Sequence, residues 1–365
     1  MDNNIHVALA VYDPKGTYSQ HAGVTVTSIF ENTKSKVTVH ILHDDTLTDL
    51  NRERFLNTAK RYGQSIDLIN VEDYKNKIGG ETLKNIPDYW SVGTLYRLFI
   101  PEILKNLDKI IYLDCDIVVN ADIAELWNVD IGDNALAGAR DSTSYDIFYK
   151  TLPSHMKIRF KILKLQRDRY INAGVLLMNL KKMRELGDFT QIAFNWLIIH
   201  EHAALAFDQD TLNVLFMNSI KIIDNKFDYF NYAIEDIDLS GRIIHYIGGP
   251  KPWKEFPLNK ADRLYWTTLF KSEWLSSCNG GGGYANLSEE QRVEGLIKAV
   301  QQMVYQHPRM HIRIKNCFKD IWFRGWARLL RPMKIDKIFN ACVDNCKIIP
   351  LVFHEFIARI KYKEF

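Results

Sequence analysis

The segment Ile110-Ile111-Tyr112-Leu113-Asp114-Cys115-Asp116-Ile117-Val118-Val119 is apolar except for two carboxylates, one residue apart, at its centre. An apolar run of this kind reads as a strand covered on both faces, as in a sheet sandwiched between helices. Packing alone does not explain acids there, because an unpaired buried charge is expensive. Asp114 and Asp116 therefore require a positive partner, and a divalent metal ion is the simplest one. The bland alternative is a short acidic turn at a strand end, and the rest of the chain must decide between the two.

The surrounding pattern alternates strands with helices. Residues 6–11 read as a first strand, broken by Tyr12-Asp13-Pro14-Lys15-Gly16, with a helix expected over 19–31. Alternating Val37, Val39 and Ile41 mark a second strand over 36–42, and a helix over 46–61 has Thr48 as its cap. Further strands are expected over 65–69, 135–139, 171–180, 219–223 and 243–247, and further helices over 93–106, 188–201 and 210–216. This order predicts an α/β fold built from βαβ units around a parallel sheet. Ligands of such sheets bind beyond the carboxyl ends of the strands, the edge where the acidic pair is expected.

The chain has 365 residues, 47% of them hydrophobic and 25% charged, and a net charge of +3, all ordinary for a globular protein. Its five cysteines are odd in number and irregularly spaced, which argues against a disulfide framework and for a reducing compartment. The first residues lack a basic, apolar leader, and no run of about 18 apolar residues occurs. A cytoplasmic location is the expectation. There is no P-loop, no G-x-G-x-x-G and no H-E-x-x-H.

The character changes near residue 255. This predicts a catalytic domain over 1–255 and a mainly helical, basic and aromatic add-on over 256–365. Gly280 to Gly283 read as a flexible loop or hinge, and between Arg309 and Lys337 basic residues alternate with Trp322, Phe323 and Trp326. That composition suits either contact with an anionic membrane face or a helical subdomain packed on the main domain. Nucleic acid is not expected as a partner, since the chain carries no recognised binding motif. Cys342 and Cys346, with His354 beyond, lack the second cysteine pair of a structural zinc site.

Four more segments carry chemistry. His245 ends a strand and is followed by Gly248-Gly249-Pro250-Lys251, where glycine backbone and a lysine suit a phosphate, or simply form a surface turn. Asn172 opens the strand Asn172-Ala173-Gly174-Val175, where an edge or turn role is the plain reading. Any residue of Asp208-Gln209-Asp210 suits an N-cap. Arg97 lies on an otherwise apolar helix and needs an anion, either a protein carboxylate or a diphosphate.

In this order and at this separation, these segments resemble the retaining glycosyltransferases of family 8, which include bacterial lipopolysaccharide α-galactosyltransferases and glycogenin. The resemblance covers roughly residues 5–253 and rests on Tyr112-Leu113-Asp114-Cys115-Asp116, Asn172-Ala173-Gly174-Val175, Asp208-Gln209-Asp210 and His245 to Trp253. It implies a GT-A, Rossmann-like nucleotide-sugar-binding domain. It further implies that Asp114, Asp116 and His245 bind Mn²⁺, with Mg²⁺ second, and that a UDP-sugar is the donor. Gly248 and Lys251 would hold the diphosphate, and Arg97 would reach phosphate and sugar. Asp141, Asn172, Asp208 and Gln209 would surround the donor sugar, and Ala10 and Tyr12 would lie by the uridine. Cys115 falls in the donor-binding set by position, although its side chain should point away from its acidic neighbours into the sheet. One departure stands out: the turn Tyr12 to Thr17 is longer than the family's acidic, Asn-rich one and contains a proline.

The resemblance implies transfer of galactose, or else glucose, from a UDP-sugar to a cell-surface glycan, glycolipid or glycoprotein, and the basic, aromatic C-terminal region would give peripheral contact at the inner membrane face. Gln209 occupies the position where a retaining enzyme would carry a nucleophile, and a neutral amide is a poor one. Front-face attack assisted by the diphosphate, with Asp208 and Gln209 as the catalytic residues, is therefore expected. The competing readings are a sugar nucleotidyltransferase, for which residues 12–17 are a poor loop, and a non-catalytic nucleotide-sugar-binding relative.

Overall fold

The structure, a computed structural model, describes residues 4–77, 91–141, 154–231, 238–248, 251–253 and 260–276. The expected glycine loop, the basic aromatic stretch 309–337 and the cysteines beyond Cys115 lie outside the described residues. The chain divides into two compact units, one of residues 1–232 with 240–245, the other of 233–239 with 246–365. No helix among the described residues is long and apolar enough to cross a membrane.

The first unit runs β1 (Ile5–Val11), α1 (Ser19–Asn32), β2 (Val37–His43), α2 (Asp49–Tyr62), β3 (Ser65–Asn70) and α3 (Glu72–Lys77). A 3₁₀ helix (Val92–Phe99) leads into α4 (Ile100–Ile103), then β4 (Lys109–Leu113), β5 (Ile117–Asn120), α5 (Ala124–Trp127) and β6 (Leu136–Arg140). There follow α6 (Ser154–Ile162), β7 (Ile171–Asn179), α7 (Leu180–Arg184), α8 (Phe189–Ile199), α9 (Phe207–Leu215), β8 (Ile220–Ile223), β9 (Tyr229–Phe230) and β10 (Arg242–His245).

Seven strands form the main sheet in the order β3-β2-β1-β4-β7-β6-β8, and β5-β10-β9 form a second sheet. The expected parallel sheet is corrected at one strand: β7 runs antiparallel to both β4 and β6. Eight of its nine residues are buried, so its sequence carries burial but no sign of direction. The acidic pair lies at the end of its strand, as expected. The chain leaves the main sheet after Leu113 and enters the second at Ile117, so the two acids occupy the bend between sheets.

The continuous helix expected over 93–106 is replaced by 3₁₀ turns followed by one short α-helix. Pro101 has no N–H to give the Arg97 carbonyl, and the Ile100 N–H takes that acceptor instead, three residues on. Two expectations at caps divide. Thr48 accepts the Asn51 N–H at the start of α2 as expected. None of Asp208, Gln209 and Asp210 is an N-cap, because α9 begins at Phe207 and takes all three into its first turn.

Helix α1 is buried along most of its length although it carries Ser19, Thr25, Thr27 and Ser28. The hydroxyls of Thr25 and Ser28 replace sheet partners for the bend. The Thr25 hydroxyl lies 3.0 Å from the Cys115 carbonyl and 2.8 Å from that of Ile117, and Ser28 Oγ accepts the Val119 N–H at 2.9 Å. Each such bond contributes about 1 kcal/mol, and leaving the buried carbonyls unmet would cost more. In the second unit, Trp266 Nε1 donates to the Pro252 carbonyl at 2.9 Å and the Tyr265 ring packs on Tyr246 and Trp253.

Candidate metal and sugar site

Asp114 and Asp116 project from the same side of the bend while Cys115 points the other way. The Cys115 residue is buried, and its Sγ donates to the Ala10 carbonyl at 3.1 Å. Its thiol is thus a packing group, as its alternation with the acids predicts. The Asp114 N–H still bonds the Gly174 carbonyl at 2.8 Å, the last rung of the β4–β7 ladder. Beyond it the backbone is free to turn and present both carboxylates.

His245 arrives from far along the chain because β10 pairs with β5, setting His245 opposite Ile117. Its Nε2 lies 3.4 Å from Asp116 Oδ1 and 3.9 Å from Asp114 Oδ2. Its Nδ1 lies 2.8 Å from Asp228 Oδ1. The ring rests on Gly174, where a Cβ would stand 2.2 Å from His245 Cε1, so no other residue fits beneath it. Burial alone would lower the imidazole's pKa, but Asp228 and Asp116 outweigh it and push the value up to about 10.

One ligand atom from each of Asp114, Asp116 and His245 lies within 4.8 Å of the others. Two carboxylates and an imidazole nitrogen so spaced fit a divalent cation. Nδ1 faces Asp228 and Nε2 faces the two acids, so a cation held there would displace the Nε2 proton while Asp228 keeps the Nδ1–H, the arrangement that fixes a metal-ligating tautomer. Nothing in the sequence singles out Asp228. It lies between Phe227 and Tyr229, and only the pairing of Phe230 with His245 brings it near.

Arg97 ties the bend to α9. Its Nη2 donates to Asp114 Oδ1 at 2.6 Å, while its Nε, which donates to the Thr94 carbonyl, lies 3.0 Å from Asp208 Oδ2 in an ion pair. Its Nη1 donates to the Ala173 carbonyl, and its guanidinium lies 4.3 Å from the centre of the Tyr112 ring. Of the two anions expected for this arginine, protein carboxylates are therefore present. Both are site residues.

Gln209 is held at both ends. Its Oε1 accepts the Ala173 N–H at 3.0 Å, and its Nε2 donates to Asp141 Oδ2 at 2.9 Å and to the Tyr170 hydroxyl at 3.1 Å. Asp141 Oδ1 and Asp208 Oδ1 are buried and receive no hydrogen bond among the described residues. Burial pushes both carboxyls up to about 7, with Gln209 opposing the shift at Asp141 and Arg97 opposing it at Asp208. Asn172 Oδ1 accepts the Gly174 N–H at 2.8 Å and so braces the strand beneath His245. Asp210, third in its motif, pairs with Arg159 and accepts the Tyr170 hydroxyl at 2.6 Å, which pins α9 to α6.

At the end of β1, Asp13 organises the proline-containing turn. Its carboxylate accepts the Tyr18 and Ser19 N–H groups at 2.7 and 2.9 Å and the Ser19 hydroxyl at 2.6 Å. This capping sets Tyr18 beside the acids. Desolvation of its hydroxyl, then the charges of Asp116, Cys115 and Asp114, push its pKa well above the usual phenol value. The sequence points to Tyr12 here and carries no signal for Tyr18. Tyr12 packs against the core and comes close to Gly93, where a Cβ would stand 3.0 Å from Tyr12 Cβ. Ala10 is buried at the strand end. Gly248 and Lys251 belong to the second unit, where the Lys251 ammonium donates to the Tyr246 carbonyl.

The description "Glycosyl transferase family 8" matches residues 10–256. A putative glycosyltransferase of Haemophilus influenzae is 31% identical over 249 residues, covering 65% of this chain and 70% of the relative. The lipopolysaccharide 1,3-galactosyltransferase of Salmonella typhimurium is 24% identical over 272 residues, 69% of this chain and 74% of the relative. Among solved structures, the galactosyltransferase LgtC with donor and acceptor sugar analogs superposes with a TM-score of 0.60 at 23% identity, over 73% of this chain and 96% of LgtC. That likeness shows the fold, which is GT-A. With the family match spanning well over half of the sequence, the chain belongs to glycosyl transferase family 8.

Proposed function

We propose that this glycosyltransferase moves a hexose, galactose first and glucose second, from a UDP-sugar to a hydroxyl of a cell-surface glycan, glycolipid or glycoprotein, with retained anomeric configuration. The observation that carries the reading is the adjacency of two features joined by Arg97. One is a trio of ligands sized for a divalent cation; the other is a pair of buried carboxylate oxygens lacking donors. The first suits a diphosphate brought in with its metal ion, and the second suits sugar hydroxyls, which are donors. The Salmonella relative is by its name a lipopolysaccharide galactosyltransferase, and an Escherichia coli relative is a lipopolysaccharide 1,2-glucosyltransferase. These names support a hexose on a surface glycan.

Asp114, Asp116 and His245 would hold the cation, with Mn²⁺ suiting the mixed oxygen and nitrogen set better than Mg²⁺. When bound, it supplies Lewis-acid stabilisation of the departing UDP. Asp208 and Asp141 accept hydroxyls of the donor sugar, and Gln209 fixes Asp141 through its amide. Gln209 spends its amide on three protein contacts and stands as a dipole rather than a nucleophile. The acceptor hydroxyl attacks from the side the diphosphate leaves. The bond from the anomeric carbon to the diphosphate oxygen breaks as the new glycosidic bond forms, and the hydroxyl proton passes to that diphosphate oxygen. Arg97 keeps Asp208 at a fixed spacing from Asp114 during this exchange. Tyr18 and Tyr12 offer ring faces for the uracil, and the family resemblance assigns diphosphate contacts to Gly248 and Lys251.

The test is a panel of UDP-sugars with Mn²⁺, scoring UDP release with and without simple sugar acceptors. Release from UDP-galactose or UDP-glucose, abolished by Asp116→Asn, is the expected result. Release of pyrophosphate from a sugar phosphate and UTP would identify a nucleotidyltransferase instead. A glycosyl adduct trapped on Asp208 or Gln209 would replace front-face attack with a two-step route.

A further inference from the structure

Helix α6 (Ser154–Ile162) shows a surface that the transfer reaction does not use. Ile158 and Ile162, one turn apart, are 59% and 58% exposed. Lys157, Lys161 and Lys164 are exposed beside them, and none makes an ion pair among the described residues. Residues 154–167 contain no acid. The opposite face is buried: Arg159 pairs with Asp210, and Leu163 and Leu165 pack with Tyr170, Trp196 and Ala203. The apolar exposure continues at the end of α8 and in the α8–α9 connection near those last two contacts, where Ile199 is 76% and Leu205 49% exposed. Of the ten large apolar side chains exposed among the described residues, five lie on α6 or between Trp196 and Phe207. Such clustering marks an interaction surface rather than scattered residues.

The chemistry of the face selects its partner. Exposed isoleucines gain nothing from a free phosphate or nucleotide, and lysines gain nothing from an apolar protein groove. Both gain at the boundary of an anionic bilayer, where aliphatic side chains enter the acyl region and lysine stems reach back to the headgroups. We propose that the Lys157-Ile158-Lys161-Ile162 face of α6, with Lys164 just beyond the helix, docks on an anionic lipid surface. Because the inner face of the same helix grips α9 through Arg159 and Asp210, docking there fixes the orientation of the Asp208–Gln209 turn relative to the bilayer.

The experiment is co-sedimentation of the full chain with vesicles of phosphatidylcholine alone or mixed with phosphatidylglycerol. The wild type should pellet with the anionic vesicles and stay in solution with the neutral ones. Each lysine near the surface is worth about fivefold in affinity, so K157Q/K161Q/K164Q should lose roughly a hundredfold. I158S/I162S should also lose binding, and both variants should keep the wild-type circular dichroism and melting profile, since these side chains face solvent. The control L50S/L56S, at two exposed leucines of α2, should bind like the wild type. Wild-type failure to bind anionic vesicles overturns the proposal, and so does undiminished pelleting of both α6 variants, which would assign attachment to another segment. A vesicle-free sedimentation run in which I158S/I162S dissociates an oligomer would make the face a protein interface and overturn it equally.

Discussion

Asp228 Oδ1 stands 2.8 Å from His245 Nδ1, on the side of the imidazole away from Asp114 and Asp116. The carboxylate fixes which ring nitrogen faces the acidic pair, and it holds the ring's rotation. Carboxylates behind metal-ligating histidines typically carry ten- to a hundredfold of metal affinity, roughly. Asp228→Ala should therefore weaken Mn²⁺ binding by about that factor, read by calorimetry, and Asp228→Asn by less, because an amide oxygen still accepts the N–H. Equal affinity in wild type and Asp228→Ala would remove the positioning role.

Gly174 answers a purely steric demand. A methyl group there would have to occupy the space of the His245 ring, whose atoms lie 2.2 to 2.9 Å from where the added carbon would stand. The ring cannot retreat without losing Asp228, so Gly174→Ala should displace it. A misplacement of about 1 Å costs roughly a hundredfold in rate at a positioned site, and that loss is the expected effect on UDP-sugar turnover. The readout that separates displacement from unfolding is the melting temperature with and without Mn²⁺. The variant should fold but gain little from the ion. A variant as active as the wild type would mean the ring does not need its place.

The legible parts of this chain are those whose signal is local. Val37, Val39 and Ile41 announce β2 by alternation, and Thr48 announces α2 by its capping chemistry. Asp114 and Asp116 are legible as an acidic pair in an apolar run, and His245 through the family resemblance; the fold brings all three together. Illegible are features created by pairing between distant segments. The direction of β7 is set by its neighbours, since a strand buried on both faces packs either way round. Asp228 meets His245 only through the two-residue strand β9, too short to leave a pattern. Tyr18 reaches the acids only because Asp13, buried in a turn that reads as ordinary punctuation, caps α1 with its carboxylate.

His40, on β2, should govern part of the acid sensitivity of the fold. It lies buried between His6, at 3.0 Å, and Asp67, at 3.1 Å. Burial lowers its pKa to about 4, with Asp67 opposing and His6 reinforcing the shift. In the unfolded chain the imidazole takes a proton near pH 6.5. Above that pH neither state is protonated there, and the residue contributes no pH dependence. As pH falls from about 6.5 to 4, only the unfolded chain gains the proton, so stability declines, by roughly 3 kcal/mol at the limit. Urea unfolding of His40→Gln across that window should show a shallower decline than the wild type. Parallel curves would assign the acid sensitivity elsewhere.

Arg97 is the residue on which the two halves of the site depend together. It is 3% exposed and bonded to Asp114 and Asp208, the second of which is equally buried. Removing the positive partner leaves two carboxylates close together, and breaking a buried pair this way costs about 3–5 kcal/mol. Arg97→Met should therefore lower the melting temperature and abolish turnover. Arg97→Lys restores the charge but not the fork, since one ammonium cannot reach Asp114, Asp208 and the Ala173 carbonyl in the same geometry. It should recover much of the stability and little of the activity. Thermal melts and UDP-release rates on the two variants separate these effects. Full activity in Arg97→Lys would show that only charge, not the spacing of Asp114 and Asp208, matters for transfer.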